Sequence, residues 1–398
     1  MSRLFIPAVH LPHGREVFKP LPFRPSQFKK ILKWYSERAL LQCSPGDAIV
    51  LSHRPDEDYL RFLLERGLGT ENITVCEGDR DNLAQDILAD KSALAKLAET
   101  APASAQFYIH LEEEDELAEK LGLPNTTTHP TLTRMFNTLY FLIRLEEDLD
   151  IPSIPRVQVR SSRLMEPLSG MLGNGPLFVR GNESCGGSQA YRVGGEDDIQ
   201  TLVKKAGRNK TITRYFASPF LNVEESWNAQ YLLSEGRCEL FGASRQELDG
   251  GYAHKGNIGG AKPPTKALET AEKIAQRLSE MGGRGMVGID LLISGGTAYP
   301  AEINARENTS TPAIAVWRKT GAPHFRAMKA AVSRDFTFSR FARMVGENNL
   351  FNPAQKRGAI PFHFRASHLT GMLDMALFAA TGEELDTLAE SIRHRLTA

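Results

Sequence analysis

Two carboxylates, an amide and a guanidinium occupy even-numbered positions near residue 300 of this 398-residue chain. They are Asp290, Glu302, Asn304 and Arg306. Carboxylate and amide oxygens are the ligands that suit Mg²⁺, and a guanidinium on the same face can hold an anionic group beside the metal. The pattern therefore predicts a metal site that also binds a charged small molecule.

A β-hairpin is the predicted element that brings these side chains together. Apolar runs at 286–293 and 297–303 flank a Ser-Gly-Gly turn, and side chains along a strand alternate between its two faces. With a three-residue loop at 295–297, Asp290 lies directly opposite Glu302, with Cβ atoms roughly 4.5–5.5 Å apart. Like charges at that separation repel, so we expect a cation between them. The alternative is a hairpin with one solvated face, in which the opposed carboxylates have no function.

The same stretch contains a glycine pattern typical of dinucleotide-binding proteins. Gly283, Gly285 and Gly288 fit the GxGxxG spacing. That motif must follow a strand and open a helix, whereas here a helical pattern at 265–281 comes first and a strand follows. We therefore reject the dinucleotide interpretation.

A second glycine-rich stretch follows a cation. The apolar strand 176–180 ends on Arg180 and leads into 181–188, which is rich in Gly and Ser and precedes another strand at 189–193. Such a turn lets backbone N–H groups approach an anion closely. A flexible hairpin tip is the alternative, and Cys185 is interpreted as a small residue rather than a nucleophile, since no His lies nearby in sequence.

The elements that position these residues follow in order along the chain. Residues 1–125 alternate strand and helix patterns, which favours a parallel-sheet α/β domain. A turn-rich linker at 124–130 precedes a predicted helix over 131–147. Residues 210–216 are predicted as a strand.

The glycine-rich segment 248–261 is interpreted as a loop that closes over a ligand with Lys255 at its centre, or else as a plain solvated loop. The tail, 335–398, contains a strand pattern and a terminal helix but no motif.

Composition excludes several classes of function. The 48 basic and 48 acidic residues balance, which gives no electrostatic reason to expect nucleic-acid or membrane-surface binding. No apolar run has transmembrane length, and the first twenty residues lack a signal-peptide core. The four cysteines show no CxxC spacing. A cytoplasmic protein without a zinc site is expected.

In this order the landmarks resemble the ATP-grasp superfamily, over about residues 131–320. The resemblance implies an α/β and α+β chain: a pre-grasp parallel-sheet domain (1–125), then a two-subdomain ATP-grasp fold (131–334). Its glycine-loop subdomain covers about 157–216 and its metal-core subdomain about 217–334. Within the superfamily, the N-terminal domain and the Asn-Ala-Arg sequence are most similar to antibiotic-pathway peptide ligases of the pheganomycin type.

The resemblance also assigns residues. The metal would be held by Asp290, Glu302 and Asn304. Nucleotide contacts would come from Arg180, Ser184, Gly186, Gly187, Ser188, Thr213, Arg214, Tyr215 and Phe216. Arg180 stands where the family has a lysine, and no lysine near Asn137 matches the family's first ATP-binding lysine.

The implied function is an ATP- and Mg²⁺-dependent ligase that joins a small-molecule carboxylate to an amine through an acyl-phosphate. Amino acids or a peptide are the expected substrates, and a homodimer is possible. Arg306, Arg284 and Lys255 are the candidates for stabilising the transferring group. Three alternatives stay open: an ATP-grasp phosphotransferase or acyl-thiol ligase, a nucleotide-binding module without catalysis, and a hydrolase with Asp290 and Glu302 as its acid/base pair.

Overall fold

The computed structural model describes residues 2–9, 24–100, 102–123, 127–182, 189–209, 211–250 and 253–397. Within these ranges the chain forms two four-stranded sheets and one eight-stranded sheet, with helices packed against them. This is the mixed α/β and α+β arrangement that the sequence predicts. None of the described helices combines the length and the apolar character that a membrane crossing requires.

The N-terminal part is a parallel sheet with connecting helices. Its strands are β1 (Arg3–Ile6), β2 (Ala48–Leu51), β3 (Ile73–Val75) and β4 (Ser104–Phe107), in the spatial order β3-β2-β1-β4. Its helices are α1 (Pro25–Trp34), α2 (Glu57–Leu64), α3 (Leu83–Ala89), α4 (Lys91–Glu99) and α5 (Glu112–Lys120), and a 3₁₀ helix at Tyr35–Leu41 follows α1. The predicted parallel-sheet architecture is confirmed, with β1 as a central strand that sequence analysis did not identify.

The prediction of a single helix over 131–147 is wrong in one respect, because the structure has two helices there. They are α6 (Pro130–Phe136) and α7 (Leu139–Asp148). Asn137 ends α6 by donating its side-chain amide to Thr133 O at 2.7 Å. Thr138 then caps α7, accepting from Phe141 N, since a Thr hydroxyl outside the first turn satisfies one of the free N–H groups there.

A small antiparallel sheet follows. Its strands are β5 (Val157–Arg160), β6 (Leu177–Gly181), β7 (Ala190–Val193) and β8 (Arg214–Pro219), in the order β5-β8-β6-β7. The helices α8 (Met165–Leu172) and α9 (Glu196–Arg208) pack on it, and a 3₁₀ turn covers Ser161–Arg163. The strand predicted at 210–216 is displaced, since the strand lies at 214–219 instead.

The largest sheet is antiparallel throughout the described residues. Its strands are β9 (Glu225–Ser234), β10 (Arg237–Asp249), β11 (Ala253–Gly259), β12 (Gly285–Ser294), β13 (Thr297–Asn304), β14 (His324–Ala331), β15 (Gly358–Pro361) and β16 (Met372–Ala379). They lie in the order β13-β12-β9-β10-β11-β14-β16-β15. Its helices are α10 (Thr265–Glu280), α11 (Thr311–Thr320), α12 (Phe338–Val345), α13 (Ser367–Thr370) and α14 (Gly382–Thr397), with a 3₁₀ turn at Glu347–Asn349.

The C-terminal tail, to which sequence analysis gave no role, completes this sheet. Strand β16 pairs with β14, and β15 pairs with β16. The tail also packs on the N-terminal part, where Phe62, Phe338 and Phe378 belong to one buried cluster. Tyr59 donates its hydroxyl to Pro361 O at 2.6 Å in the same contact. The two termini of the chain therefore share a hydrophobic core, which fixes the N-terminal sheet beside the large one.

Candidate functional site

The hairpin of β12 and β13 places Asp290 directly opposite Glu302, as predicted. The turn is shorter than expected, because Ser294 pairs with Thr297 and only Gly295 and Gly296 lie between the strands. Both glycines have positive φ, at 56° and 69°, as a two-residue turn between twisted strands requires. A bulge between Asp290 and Leu291 supplies the extra residue that restores the pairing. The predicted pairing is confirmed and the predicted loop length is wrong.

Three side-chain amides hold the Asp290 carboxylate. Asn228 on β9 donates to Oδ1 at 2.7 Å, and Gln246 on β10 donates to the same oxygen at 3.1 Å. Asn304 on β13 donates to Oδ2 at 3.1 Å. Burial first, and then the negative charge of Glu302, raise the pKa of Asp290 from 3.8 to about 6. The amide donors oppose that rise without cancelling it.

A second layer of polar residues supports these amides. Gln230 on β9 donates to Asn228 Oδ1 and to Ser310 Oγ, both at 2.8 Å, and accepts from the Thr311 hydroxyl at 2.7 Å. Asn228, Gln230 and Ser310 are each at most 2% exposed. Buried amides keep one orientation when both their donors and acceptors are used. The Asp290 site is therefore rigid before any ligand binds.

Two arginines lie beside the carboxylate pair. Arg180 on β6 donates to Glu302 Oε1 at 3.2 Å and to Ala301 O at 3.4 Å. Arg306, just after β13, donates to Asn304 Oδ1 at 2.6 Å. The predicted site residues Asp290, Glu302, Asn304, Arg306 and Arg180 are thus brought together, with positive charge on two sides of the acidic pair.

The loop after β13 also contacts the N-terminal part. Arg306 donates to Glu307 O at 2.9 Å and to the Tyr108 hydroxyl at 3.4 Å. The buried Glu307 carboxylate accepts from Gln42 at 2.7 Å and Gln106 at 2.8 Å, and burial raises its pKa. The parallel sheet therefore helps to position Arg306.

The site opens into a cavity of about 270 Å³ between the small and the large sheets. Apolar residues on its wall include Ile154, Phe178, Phe216, Phe220, Leu248 and Leu292. Its polar lining includes Asp290, Glu302, Arg180, Arg306, Arg156 and His254. An apolar slot with a few charged groups is the usual form of a small-molecule site.

Of the predicted nucleotide contacts at 213–216, only Phe216 lines the cavity. Thr213 and Arg214 are exposed, and Tyr215 is buried in the core of the small sheet. The lining continues past Phe216 to Ser218, Pro219 and Phe220, because β8 lies farther along the chain than predicted. The predicted phosphate-contacting residues Ser184, Gly186, Gly187 and Ser188 lie outside the described residues.

Two of the predicted catalytic residues lie elsewhere. Arg284 precedes β12, six residues from Asp290 or roughly 20 Å along a strand, and its side chain lies 3.8 Å from Glu235. Lys255 is on β11, exposed, and pairs with Asp249 at 3.1 Å. The prediction of a loop at 248–261 is wrong, since β10 and β11 occupy most of it. His254 and Asn257 face the cavity in place of Lys255.

The oxygens of the site fit a hard divalent cation. Asp290, Glu302 and Asn304 present carboxylate and amide oxygens on one face, and no thiolate or imidazole competes among them. Across the described residues, no group of three or more His, Cys, Asp or Glu side chains is arranged to bind a metal. Two carboxylates and an amide instead suit Mg²⁺, which keeps several waters and shares its coordination with a bound phosphate.

Sequence reasoning missed the residues that hold Asp290. Asn228 and Gln230 alternate with Trp227, Ala229 and Tyr231, so a polar face along an otherwise apolar strand was readable. What was not readable is that β9 pairs with β12 at Asp290↔Asn228, since these two residues are 62 positions apart in the sequence. The contact between Tyr108 and Glu307 could not be predicted either, because Tyr108 follows β4 and Glu307 follows β13, which belong to different sheets.

Comparison with known proteins agrees with this architecture. Residues 36–123 match the family described as the Pre ATP-grasp domain. Together with the two antiparallel sheets that enclose the cavity, this identifies the chain as an ATP-grasp fold preceded by a pre-ATP-grasp domain.

The biotin carboxylase–β,γ-ATP complex from Campylobacter jejuni superimposes with a TM-score of 0.62 at 10% identity, covering 97% of this chain and 89% of that one. The L-amino acid ligase from Bacillus licheniformis gives 0.55 at 13% identity, covering 99% and 98%. In sequence, the carbamoyl phosphate synthase large chain of Pseudomonas syringae pv. tomato is 22% identical over 201 residues. That match covers 49% of this chain and only 18% of the relative.

Proposed function

We propose that the protein is an ATP- and Mg²⁺-dependent ligase that joins a small-molecule carboxylate to an amine and releases ADP and phosphate. The observation that carries the proposal is the Asp290–Glu302 pair on the wall of a partly apolar cavity, with Arg180 and Arg306 beside it. Carboxylates with flanking guanidinium groups suit a metal-bound polyphosphate better than an acid/base hydrolase, because the cations neutralise phosphate charge. The fold shared with an ATP complex supports the same proposal.

Each group has a role in nucleotide binding. Phe178, Phe216 and Phe220 provide apolar surface for a base, and Arg180 binds phosphate oxygens. Asp290, Glu302 and Asn304 would hold Mg²⁺, which when bound neutralises charge on the phosphates. Asn304 Oδ1 accepts from Arg306, which places the guanidinium beside the proposed metal site on the wall of the cavity. The phosphate contacts of Ser184, Gly186, Gly187 and Ser188, which lie outside the described residues, stay a prediction.

Arg306 is the residue proposed to act on the reacting group. A carboxylate oxygen of the first substrate attacks the γ-phosphoryl group, ADP leaves, and an acyl-phosphate results. The amine nitrogen of the second substrate then attacks the acyl carbon, phosphate leaves and the nitrogen loses a proton. The guanidinium of Arg306 stabilises the negative charge on the acyl and phosphoryl oxygens, and Tyr108, Asn304 and the Glu307 carbonyl orient it.

Amino acids or a short peptide are the proposed substrates, in line with the shared fold of an L-amino acid ligase. A cytoplasmic location and a homodimer are part of the same proposal. The test is a phosphate-release screen of the purified chain with MgATP and pairs of amino acids, followed by mass spectrometry of the products. ADP release that needs both a carboxylate and an amine, with an amide product, supports the ligase. Release that needs only one substrate, or a thiol, points to a phosphotransferase or an acyl-thiol ligase instead.

A further inference from the structure

His254 is a titratable residue on the wall of the cavity that has no role so far in the proposed reaction. Among the described residues of the lining, the other ionisable side chains are Asp290, Glu302, Arg156, Arg180, Arg306 and Tyr108. The two carboxylates belong to the proposed metal site. An arginine has no acceptor, and the tyrosine hydroxyl already accepts from Arg306. Within this described lining, His254 is therefore the group suited to accept a proton near neutral pH.

A buried amide determines which ring nitrogen of His254 carries the hydrogen. Asn257 donates its Nδ2 to Ser244 Oγ at 2.9 Å, which leaves its Oδ1 facing His254 Nε2 at 2.8 Å. Asn257 is 2% exposed and Ser244 is fully buried, so the surroundings hold the amide in this orientation. A carbonyl oxygen only accepts, so Nε2 carries the hydrogen and Nδ1 keeps its lone pair.

The Nδ1 atom of His254 is available to a ligand. No described residue donates to it, and the atom is not buried. Burial of the ring lowers the pKa of His254 below its usual range, and the charge of Lys329 on β14 acts in the same direction. The contact with Asn257 and the carboxylates of Asp374 on β16 and Glu247 on β10 oppose this shift without cancelling it. The ring is therefore neutral near pH 7, the form that accepts a proton.

The sheet places His254 on the same wall as the proposed metal site. Asn257 pairs with Gln246 across β10 and β11, and Gln246 donates to Asp290 Oδ1 at 3.1 Å. His254 pairs with Leu248, two residues beyond Gln246. With about 3.4 Å per residue along a strand and about 4.8 Å between strands, the Cα atoms of His254 and Gln246 are at most about 12 Å apart. His254 and Asp290 therefore face one cavity from neighbouring parts of the sheet.

We propose that His254 Nδ1 is the base that takes a proton from the ammonium group of the amine substrate. This assignment rests on the proposed ligase function and adds a residue to its second step. An amino group is protonated at neutral pH and has no lone pair until that proton leaves.

The proton moves from the ammonium nitrogen to Nδ1, which gives an imidazolium and a neutral amine. The amine nitrogen then attacks the acyl carbon of the acyl-phosphate. As the C–N bond forms, the C–O bond to phosphate breaks, and phosphate leaves with the electron pair and takes the second nitrogen proton. His254 afterwards returns its own proton to water.

Hydroxylamine separates the two steps of the reaction. It is largely unprotonated at neutral pH, so it attacks an acyl-phosphate without a base and gives a hydroxamate, whereas an amino acid must first lose a proton. The test uses the full chain with MgATP and each of the twenty L-amino acids as the carboxylate. The nucleophile is either hydroxylamine or a second amino acid, and ADP, hydroxamate and amide are measured separately.

His254→Gln keeps a donor near the Nε2 position and cannot accept a proton at neutral pH. We expect it to form hydroxamate within about threefold of wild type, and amide at least about a hundredfold more slowly. Its affinity for MgADP and its melting temperature are expected to match those of wild type. His254→Asn, with a shorter side chain, is the second variant and is expected to show the same difference between the two products. His394→Gln, at an exposed position of α14, is the matched control and is expected to leave both products unchanged.

Three results in the variants overturn the proposal. The first is amide formation at the wild-type rate in both His254 variants. The second is an equal loss of hydroxamate and amide, which would assign His254 to the first step or to the fold. The third is weaker MgADP binding, which would assign the ring to the nucleotide.

Failure of the ligase function itself is seen in the wild-type protein, as the absence of both ADP and hydroxamate with every amino acid. The assignment of the base then falls with the function. A contrary result confined to the variants overturns the assignment of the base and leaves the ligase function standing.

Discussion

Arg180 donates to Glu302 across the gap between two sheets, with Nη2 and Oε1 3.2 Å apart. Arg180 lies at the end of β6 in the small sheet, and Glu302 lies on β13 at the edge of the large one. The contact joins the two walls of the cavity at its most charged point. The guanidinium balances the charge of the acidic pair, and in the proposed function it also binds a phosphate.

Arg180→Met is therefore expected to raise the KM for MgATP at least about tenfold, because one charge-assisted contact to phosphate is lost. The KM of Arg180→Lys is expected to lie between those of wild type and Arg180→Met, since lysine keeps the charge but cannot form two parallel hydrogen bonds. Steady-state kinetics with MgATP varied give the comparison. An unchanged KM in Arg180→Met would remove Arg180 from the nucleotide site.

Asp290→Asn and Glu302→Gln are expected to abolish ADP formation, by about a hundredfold or more, because each removes a metal-binding carboxylate. The fold is expected to survive, since both replacements keep the size and shape of the side chain. Coupled ADP assays with circular dichroism melts check both statements. Normal turnover in either variant contradicts the site assignment.

The raised pKa of Asp290 gives a pH dependence. Mg²⁺ needs the ionised carboxylate, so metal affinity is expected to fall about tenfold per pH unit below about 6. The stability of the ligand-free protein is expected to change with pH in the opposite direction to the metal affinity. A pKa raised in the folded state stabilises at low pH, and that stability is lost as pH rises from 3.8 to about 6. Calorimetric MgADP titrations on both sides of pH 6 test the first trend and melts across the window from 3.8 to about 6 test the second, with Asp290→Asn as the control that loses both trends.

Arg306 and Lys255 are expected to behave differently. Arg306→Ala is expected to reduce kcat by about two orders of magnitude, since removing one hydrogen-bond donor to the charge that develops in a transition state typically has an effect of that size. Lys255→Ala and Arg284→Ala are expected to stay within about threefold of wild type, because exposed ion pairs contribute little and neither side chain lines the cavity. A strong loss of kcat in Lys255→Ala with intact Arg306 would reverse this assignment.

Gly288 has a packing role beneath the site. A Cβ there would overlap the side-chain amide of Asn308, which donates to Arg306 O at 3.3 Å. Gly288→Ala is expected to lower both kcat and the melting temperature. Gly207→Ala in α9, with open space around it, is expected to raise stability by about 0.5–1 kcal/mol. Equal behaviour of the two variants would contradict the packing argument.

The glycines of the GxGxxG pattern show what sequence reasoning settled correctly and what it could not reach. A helix precedes them and a strand follows, so rejecting the dinucleotide motif was right. Their actual reasons are local: Gly285 has a positive φ of 77°, and Gly288 lies against Asn308. Periodicity reveals which element comes first, but not which neighbour approaches it.

The prediction of a loop at 248–261 was wrong for the same reason, because the sequence does not show which neighbour packs against its glycines. Its glycines suggested a mobile loop, yet Gly256 and Gly259 lie in β11, where a Cβ would meet Ala327 O and the Phe325 ring of β14. Glycine is therefore required here for close packing against a strand some 70 residues later in the sequence, and not for flexibility. Alternation did locate the Asp290–Glu302 pair, because hairpin contacts are local. The amides from β9 and β10 and the contacts of Tyr108 depend on tertiary pairing, which a single sequence does not reveal.

The most direct test is a crystal structure of the protein with MnADP, with the manganese located by anomalous scattering. We expect a peak at roughly 2.0–2.3 Å from oxygens of both Asp290 and Glu302 and from a phosphate oxygen. A nucleotide bound in the cavity with its metal away from both carboxylates, or a metal bound elsewhere in the chain, would contradict it.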